Sequence, residues 1–229
     1  MGQMIEFASN GNTAGGYLAT PESGSGAGVM VIQEWWGLVP QIKTVCDRLA
    51  SAGYVALAPD LYHGELAEHD EMDKAGHLMN TLDIEHAVVD MGGAVSHLLS
   101  LDKVTSTSIG VVGYCMGGML SLLIAAREGD RVGAVAPFYG APLGDGGPDW
   151  SGLTATVEGH FADTDDFFPP EAVTALGSKL REMGKTVTFT VHPGTGHAFT
   201  NEENPFGTYD ESLSAQTWDA MLSLFSAVL

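Results

Sequence analysis

One cysteine of this chain stands in a motif suited to nucleophilic chemistry. In Gly110 to Leu120, GVVGYCMGGML, an apolar run ends at Tyr114 and Cys115 and then passes through two glycines into further apolar residues. Glycines on both sides of the cysteine allow a strand to turn sharply into a helix and to present the thiol on the turn. The dipole at a helix N-terminus favours a thiolate. The alternative is a small buried hydrophobe beside a glycine turn.

A histidine and an acid stand in the order that such a nucleophile needs. His197, in HPGTGHAF, follows a predicted strand and two glycines, whereas His192 at the strand end is more consistent with a structural role. The segment FADTDDFFPP offers the acid. We choose Asp165, which would be held at a strand end while the prolines start the next helix, and Asp163 is the second candidate. Polar surface loops are the alternative for both segments, and the two phenylalanines argue against a calcium loop.

A glutamate at a third strand end completes the set. Glu34, in VIQEWWG, ends a predicted buried strand beside two tryptophans, where a carboxylate is costly unless it is hydrogen-bonded or protonated. A salt-bridged surface glutamate is the alternative. The loop at this place normally supplies one oxyanion-hole amide, so we expect the backbone N–H groups of Trp35 and Met116 to be the two donors.

Alternating strand-like and helix-like segments must position these residues. A hairpin with a turn at Asn10 to Asn12 is followed by six strands rich in Val and Ala, with helices between them and a partly helical polar excursion after the fourth strand. This order predicts an α/β fold with a mostly parallel sheet of about eight strands and helices on both faces. We expect a single domain over residues 1–229, with ligands at the carboxyl ends of the strands.

Composition excludes several classes of partner. The chain has 229 residues, of which 45% are hydrophobic and 17% charged, as expected for a globular core. Its formal net charge of -20 argues against nucleic acid and anionic membranes. Cys46 and Cys115 could form at most one disulfide, and neither a secretory signal nor a long apolar span is recognisable. We therefore expect a cytoplasmic protein that is a monomer or a small homo-oligomer.

Together these motifs resemble the dienelactone hydrolase, or carboxymethylenebutenolidase, family of α/β-hydrolases over nearly the whole chain. QEWWG, APDLYHG, GYCMGG, ADTDDFFPP and GTGHAF follow that family's order and approximate spacing, and GYCMGG is the most specific of them. The resemblance implies the α/β-hydrolase fold and hydrolysis of ester or lactone bonds through a thioester, with no cofactor or metal. It implies Cys115 as nucleophile, His197 as base, Asp165 as orienting acid, and Glu34 as a switch that activates the thiol.

The chain departs from the archetypal family pattern where the substrate's carboxylate would bind. Archetypal members use two arginines, one in the excursion after the fourth strand and one four residues past the catalytic histidine. Asn201 occupies the second place here, and Glu65 to Asp83 contains no arginine. We therefore expect a neutral small-molecule ester or lactone as substrate. Its aromatic or acyl part would rest on Trp35, Trp36, Tyr139 or Phe199, although these rings could equally belong to the core.

Two other classes of function are compatible with the sequence. One is a ligand-binding pseudoenzyme or receptor on the same fold, since a fold does not dictate activity. The other is a thiol redox sensor with Cys46 as the resolving partner of Cys115. The intact order of cysteine, aspartate and histidine argues against the first, and the lack of a C-x-x-C motif argues against the second.

Overall fold

The computed structural model describes residues 2–9, 11–144 and 147–229, and within them the chain forms eight strands and six α-helices. The strands are β1 (Gln3–Ser9), β2 (Asn12–Ala19), β3 (Gly28–Ile32), β4 (Val55–Pro59), β5 (Ile109–Tyr114), β6 (Val132–Phe138), β7 (Thr156–Thr164) and β8 (Val187–Gly196). The helices are α1 (Pro40–Ser51), α2 (Met72–Thr81), α3 (Ile84–Ser100), α4 (Met116–Glu128), α5 (Pro170–Glu182) and α6 (Glu211–Val228). Asn10, in the predicted hairpin turn, lies outside the described residues.

The strands form one sheet in the order β1-β2-β4-β3-β5-β6-β7-β8. β1 pairs antiparallel with β2, and β2 antiparallel with β4. All other neighbouring strands pair in parallel. The predicted α/β class and mostly parallel eight-stranded sheet are thereby confirmed.

The central strands owe their position to their continuous apolar sequences. Every residue of β3, β4 and β5 is buried, which requires cover on both faces of the sheet. α1 and α3 both pack on β3, and both pack on β4, without a substantial contact with each other. These two helices therefore lie on opposite faces, and α4 packs beside α3.

Local sequence signals set where several helices begin. Pro40 opens α1, where its missing N–H costs no hydrogen bond. The Asp83 side chain caps α3 by accepting from the backbone N–H of His86, and Asp210 caps α6 by accepting from Leu213. None of the six described helices combines the length and the hydropathy of a bilayer-spanning segment.

The parallel strands deliver side chains of interest to one edge of the sheet. Glu34 lies two residues past β3, and Cys115 directly follows β5. Tyr139, Asp165 and His197 directly follow β6, β7 and β8. Because the carboxyl ends of parallel strands share an edge, residues far apart in sequence converge there.

Candidate active site

Cys115 occupies a strained turn between β5 and α4. Its φ of 53° and ψ of -117° are unusual for a residue with a side chain. A Cβ at Gly113 would collide with the carbonyl oxygen of Gly117, and a Cβ at Gly117 would collide with the carbonyl oxygen of Ile32. Only glycines on both sides therefore permit this turn, as the motif predicts.

The thiol at this turn is more enclosed than the sequence indicates. Cys115 is 9% exposed, and burial raises the pKa of its thiol, with the negative charges of Glu34 and Asp165 acting in the same direction. The backbone N–H groups of Met116 and Trp35 face the sulfur and oppose this shift. Our expectation that the helix dipole favours a thiolate is wrong for the resting structure, because desolvation and the two carboxylates outweigh the amides.

The two predicted oxyanion-hole donors do converge on the sulfur. Trp35 follows β3 and Met116 is the first residue of α4, and the backbone N–H of each lies close enough to the Cys115 sulfur to lower the pKa of the thiol. Two N–H groups on one side of a nucleophile form a cradle that suits an oxyanion created next to it.

Glu34 is a buried carboxylate held by neutral hydrogen-bond donors. It is 1% exposed, so the salt-bridged surface alternative is wrong. Tyr139 Oη donates to Oε1 at 3.2 Å, and Asn201 Nδ2 donates to Oε2 at 2.8 Å. Burial raises the pKa of Glu34, whereas His197, Tyr139 and Asn201 lower it by smaller amounts. The group is therefore a weaker acid than an exposed glutamate, at a place where the thiol responds to its charge.

Asp165 faces the candidate base. Its Oδ2 lies 2.8 Å from Nδ1 of His197, and its Oδ1 accepts from the backbone N–H groups of Phe167 and Phe168 at 2.9 and 3.0 Å. Both members of the pair are buried, so the imidazole is held in one orientation with Nε2 free of Asp165. The hydroxyl of Thr208 also donates to the carbonyl of His197, which anchors the backbone.

The second candidate acid, Asp163, and the second histidine, His192, have hydrogen-bond partners away from His197. β7 runs through Asp163 rather than ending before it, and the exposed Asp163 carboxylate accepts from the backbone N–H groups of Gly194 and Thr195 at 2.8 and 3.0 Å. His192 lies inside β8, with Nε2 3.2 Å from Nδ1 of His160. Asp163 therefore braces the end of β8, and neither side chain touches His197.

Three of the predicted substrate-binding rings are buried. Trp36 is 1% exposed, and Tyr139 and Phe199 are 0% exposed. Tyr139 instead joins the hydrogen-bond network of Glu34, with its Oη 2.8 Å from the Thr200 hydroxyl. Rings that are buried on every side act through packing and hydrogen bonds rather than through direct contact with a ligand.

Sequence reasoning named Trp35 but missed the other two rings of the accessible aromatic surface beside His197. The ring centroids of Phe167 and Phe206 lie 4.9 and 5.5 Å from that of His197, and 5.9 Å from each other. Trp35 approaches Phe167 at 6.2 Å and Phe206 at 6.4 Å. Phe167 is 54% exposed and the other two rings are partly exposed. Phe167 belongs to DDFFPP, a segment already selected for its acids, so the sequence could have indicated it. Phe206 lies in a loop with no periodic pattern, so nothing in the sequence indicated it.

His69 is a further group that the sequence did not reveal. It lies in the excursion after β4, with its ring 4.9 Å from Trp36 and its Nε2 3.5 Å from Nδ2 of Asn201. Burial lowers the pKa of His69, while Glu203 and Glu68 raise it by smaller amounts. A lone histidine in a polar segment carries no spacing signal, so only the fold connects it to the Glu34 network.

The chain is similar to known proteins in both sequence and structure. The family model described as "Dienelactone hydrolase family" matches residues 14–229. "Protein usf" of Aquifex pyrophilus is 36% identical over 237 residues, and a "Putative carboxymethylenebutenolidase" of Aquifex aeolicus (strain VF5) is 33% identical over 236 residues, each match covering 100% of both chains. The solved structure of a "Putative Dienelactone Hydrolase" from Klebsiella pneumoniae subsp. pneumoniae MGH 78578 has a TM-score of 0.85 and 26% identity, over 99% of each chain.

Proposed function

Since the chain belongs to the dienelactone hydrolase family and is a carboxylic ester hydrolase, we propose that it cleaves neutral ester or lactone bonds with Cys115 as nucleophile and through a thioester. One observation carries the proposal. The sulfur faces the backbone N–H groups of Trp35 and Met116 at the sheet edge that also holds the hydrogen-bonded pair of His197 and Asp165. Nucleophile, oxyanion donors, base and orienting acid thus meet at one edge.

The first step activates a neutral thiol. A carboxylate whose pKa is raised by burial accepts a proton more readily than an exposed one, and Glu34 is such a group. In the substrate complex the thiol proton passes to Glu34, and the thiolate forms only then. A thiol that stays neutral between turnovers is protected from oxidation, because the thiolate is the form that oxidants attack.

Acylation follows at the substrate carbonyl. The Cys115 thiolate attacks the carbonyl carbon, a C–S bond forms, and the carbonyl oxygen becomes an oxyanion held by the N–H groups of Trp35 and Met116. When this intermediate collapses, the C–O bond breaks and the proton taken from the thiol ends on the alcohol oxygen. An open ester releases the alcohol, whereas a lactone keeps it tethered to the acyl group.

Hydrolysis of the thioester uses the histidine. Asp165 holds the Nδ1–H of His197, which leaves Nε2 to take a proton from a water molecule. The resulting hydroxide attacks the thioester carbonyl, the C–S bond breaks, and the sulfur recovers its proton from the imidazolium. A carboxylic acid is released and the resting enzyme is restored.

The surroundings of the site favour an uncharged substrate. The net charge of -20 repels anions, and the neutral amide of Asn201 serves Glu34 rather than offering a positive charge. Trp35, Phe167 and Phe206 form an accessible aromatic surface next to His197. These features support esters or lactones with an apolar or aromatic acyl part.

The proposal is tested with a panel of neutral aryl esters and lactones on the wild type and on Cys115→Ala. We expect hydrolysis to fall roughly 10⁴-fold to 10⁶-fold, because the thioester can no longer form, with the melting temperature nearly unchanged. His197→Gln should accumulate an acyl adduct on the Cys115 peptide, which mass spectrometry detects.

The matched control is the other free cysteine. Cys46 is buried on α1, and Cys46→Ala should keep the turnover of the wild type. Turnover that survives Cys115→Ala would refute the nucleophile. Rapid labelling of Cys115 by iodoacetamide without any hydrolysis across the panel would favour a binding protein instead.

A further inference from the structure

A second cluster of polar side chains lies between β4 and α3. His63 stands four residues past β4, and His86 and Asp90 are one turn apart on α3. One nitrogen of each histidine and one carboxylate oxygen lie within 4.8 Å of one another. The two imidazole rings are 5.4 Å apart. The group brings two imidazoles and a carboxylate to one point without taking part in the proposed hydrolysis.

Only one of the two carboxylate oxygens of Asp90 has a hydrogen-bond partner among the described residues. Asp90 is 2% exposed, and its Oδ1 accepts from the Ser9 hydroxyl at 2.5 Å. Its Oδ2 is buried and has no hydrogen-bond partner among the described residues. The Nε2 of His63 lies 3.4 Å from this oxygen, in a geometry that does not make a hydrogen bond. A buried carboxylate oxygen that lies beside an imidazole and still has no hydrogen-bond partner calls for a ligand.

We propose that His63, His86 and Asp90 bind a zinc ion. Imidazole and carboxylate are donors that Zn²⁺ prefers, and three protein ligands plus water complete a tetrahedron. With metal–ligand bonds of about 2.0–2.1 Å, the ligand atoms of a tetrahedral site are about 3.4 Å apart. Oδ2 of Asp90 and Nε2 of His63 already have this separation.

The remaining ligand can reach the same point. The Nε2 of His86 is 3.9 Å from Oδ1 of Asp90, and the side chains of His86 and His63 are 52% and 51% exposed. Half-exposed imidazoles can rotate by the small amount that closes the site, whereas Asp90 is held in place by Ser9. A ligating carboxylate that is fixed by a second hydrogen bond is the usual support of a metal site.

The local field also favours a cation. Glu65 and Asp83 line a cleft of about 240 Å³ beside the two histidines, and the whole chain carries a charge of -20. Such a negative field raises the local concentration of divalent cations.

The zinc ion would link two segments of the chain. It would tie α3 to the segment that leaves β4, and Tyr62 in that segment donates its hydroxyl to the Met116 sulfur at 3.5 Å. None of the three ligands is among the groups that face the Cys115 sulfur. The ion would therefore hold the segment that contacts Met116, while bond cleavage would remain with Cys115.

The test is zinc titration by calorimetry of tag-free, chelator-treated protein in a Cys115→Ser background, which removes the competing thiol. We expect one Zn²⁺ per chain and a higher melting temperature with zinc. Co²⁺ should give the visible absorption of a tetrahedral site. His63→Gln or His86→Gln should weaken binding about tenfold or more, since even outer-shell changes cost 10–100-fold, while exposed His77→Gln should not change it.

Several outcomes would overturn the proposal. Absence of Zn²⁺ binding at millimolar concentration would do so, as would binding that His63→Gln and His86→Gln leave unchanged. Both residues are half exposed, so these variants are expected to fold. The melting temperature without metal checks this directly.

Discussion

Two pairs of histidine and aspartate in this molecule have the same composition and different surroundings. In the first, Nδ1 of His197 lies 2.8 Å from Asp165, and the two side chains are 6% and 1% exposed. In the second, Nε2 of His63 lies 3.4 Å from Asp90, and the side chains are 51% and 3% exposed. Only the first pair is a hydrogen bond between two buried groups.

The role of each pair depends on which histidine nitrogen faces the aspartate and on what the second carboxylate oxygen binds. Oδ1 of Asp165 accepts from two backbone N–H groups, and Oδ2 faces Nδ1 of His197. Nε2 of His197 therefore remains available for proton transfer. In Asp90, Oδ1 accepts from the Ser9 hydroxyl, whereas Oδ2 has no hydrogen-bond partner among the described residues and lies near Nε2 of His63. The first arrangement suits a base that is held in one orientation, and the second suits the metal site proposed above.

The largest test of this comparison removes the charge of the orienting acid. Asp165→Asn should lower kcat for a neutral aryl ester by roughly 10³-fold to 10⁴-fold, because the amide favours the wrong tautomer of His197. Asp163→Asn is the matched control, and should cost severalfold at most because the Asp163 carboxylate accepts from Gly194, Thr195 and the Thr164 hydroxyl rather than facing His197. Steady-state kinetics decide between them, and equal losses in the two variants would break the comparison.

A smaller effect concerns Glu34, a buried carboxylate with neutral hydrogen-bond partners. Its charge raises the pKa of the Cys115 thiol, so Glu34→Gln should lower that pKa and speed alkylation. We expect the iodoacetamide rate at pH 8 to rise roughly threefold to tenfold, since one pKa unit is a tenfold change in thiolate. Peptide mass spectrometry follows Cys115, with buried Cys46 as the internal reference. An unchanged or slower rate would show that the charge of Glu34 does not control the thiol.

A third test concerns the stability contributed by a histidine pair without a carboxylate. Burial, and then the neighbouring His192, lowers the pKa of His160 to about 4, below the ordinary 6.5. The unfolded chain therefore binds more protons than the folded one between these values, so stability is lost as pH falls from 6.5 towards 4.

Urea unfolding of the wild type and of His160→Gln measures this loss. Over that interval the wild type should lose roughly 1–3 kcal/mol more than the variant. A difference between the two proteins that stays constant with pH would contradict the assigned cause.

The sequence predicted the features that depend on local patterns and on the order of segments along the chain. Continuous apolar runs that alternate with amphipathic segments predicted the parallel sheet, and the glycines around Cys115 predicted the turn. Residues that directly follow parallel strands must share an edge, so Cys115 and His197 could be placed at the same edge of the sheet in advance. The sequence could not decide with equal certainty whether Asp165 or Asp163 faces His197. The reason is that β7 extends to Thr164, and the side-chain directions there depend on contacts with β8.

The α/β architecture, the family and the strand ends at which chemistry could occur were thus predictable without the fold, because periodicity and turn residues act over short distances. The raised pKa of the Cys115 thiol, the position of Phe167 and Phe206 beside His197, the burial of Tyr139 and Phe199, and the contact of His63 with Asp90 required the folded chain. These properties depend on desolvation and on partners distant in sequence. Asn201 and Glu34, for example, are 167 residues apart.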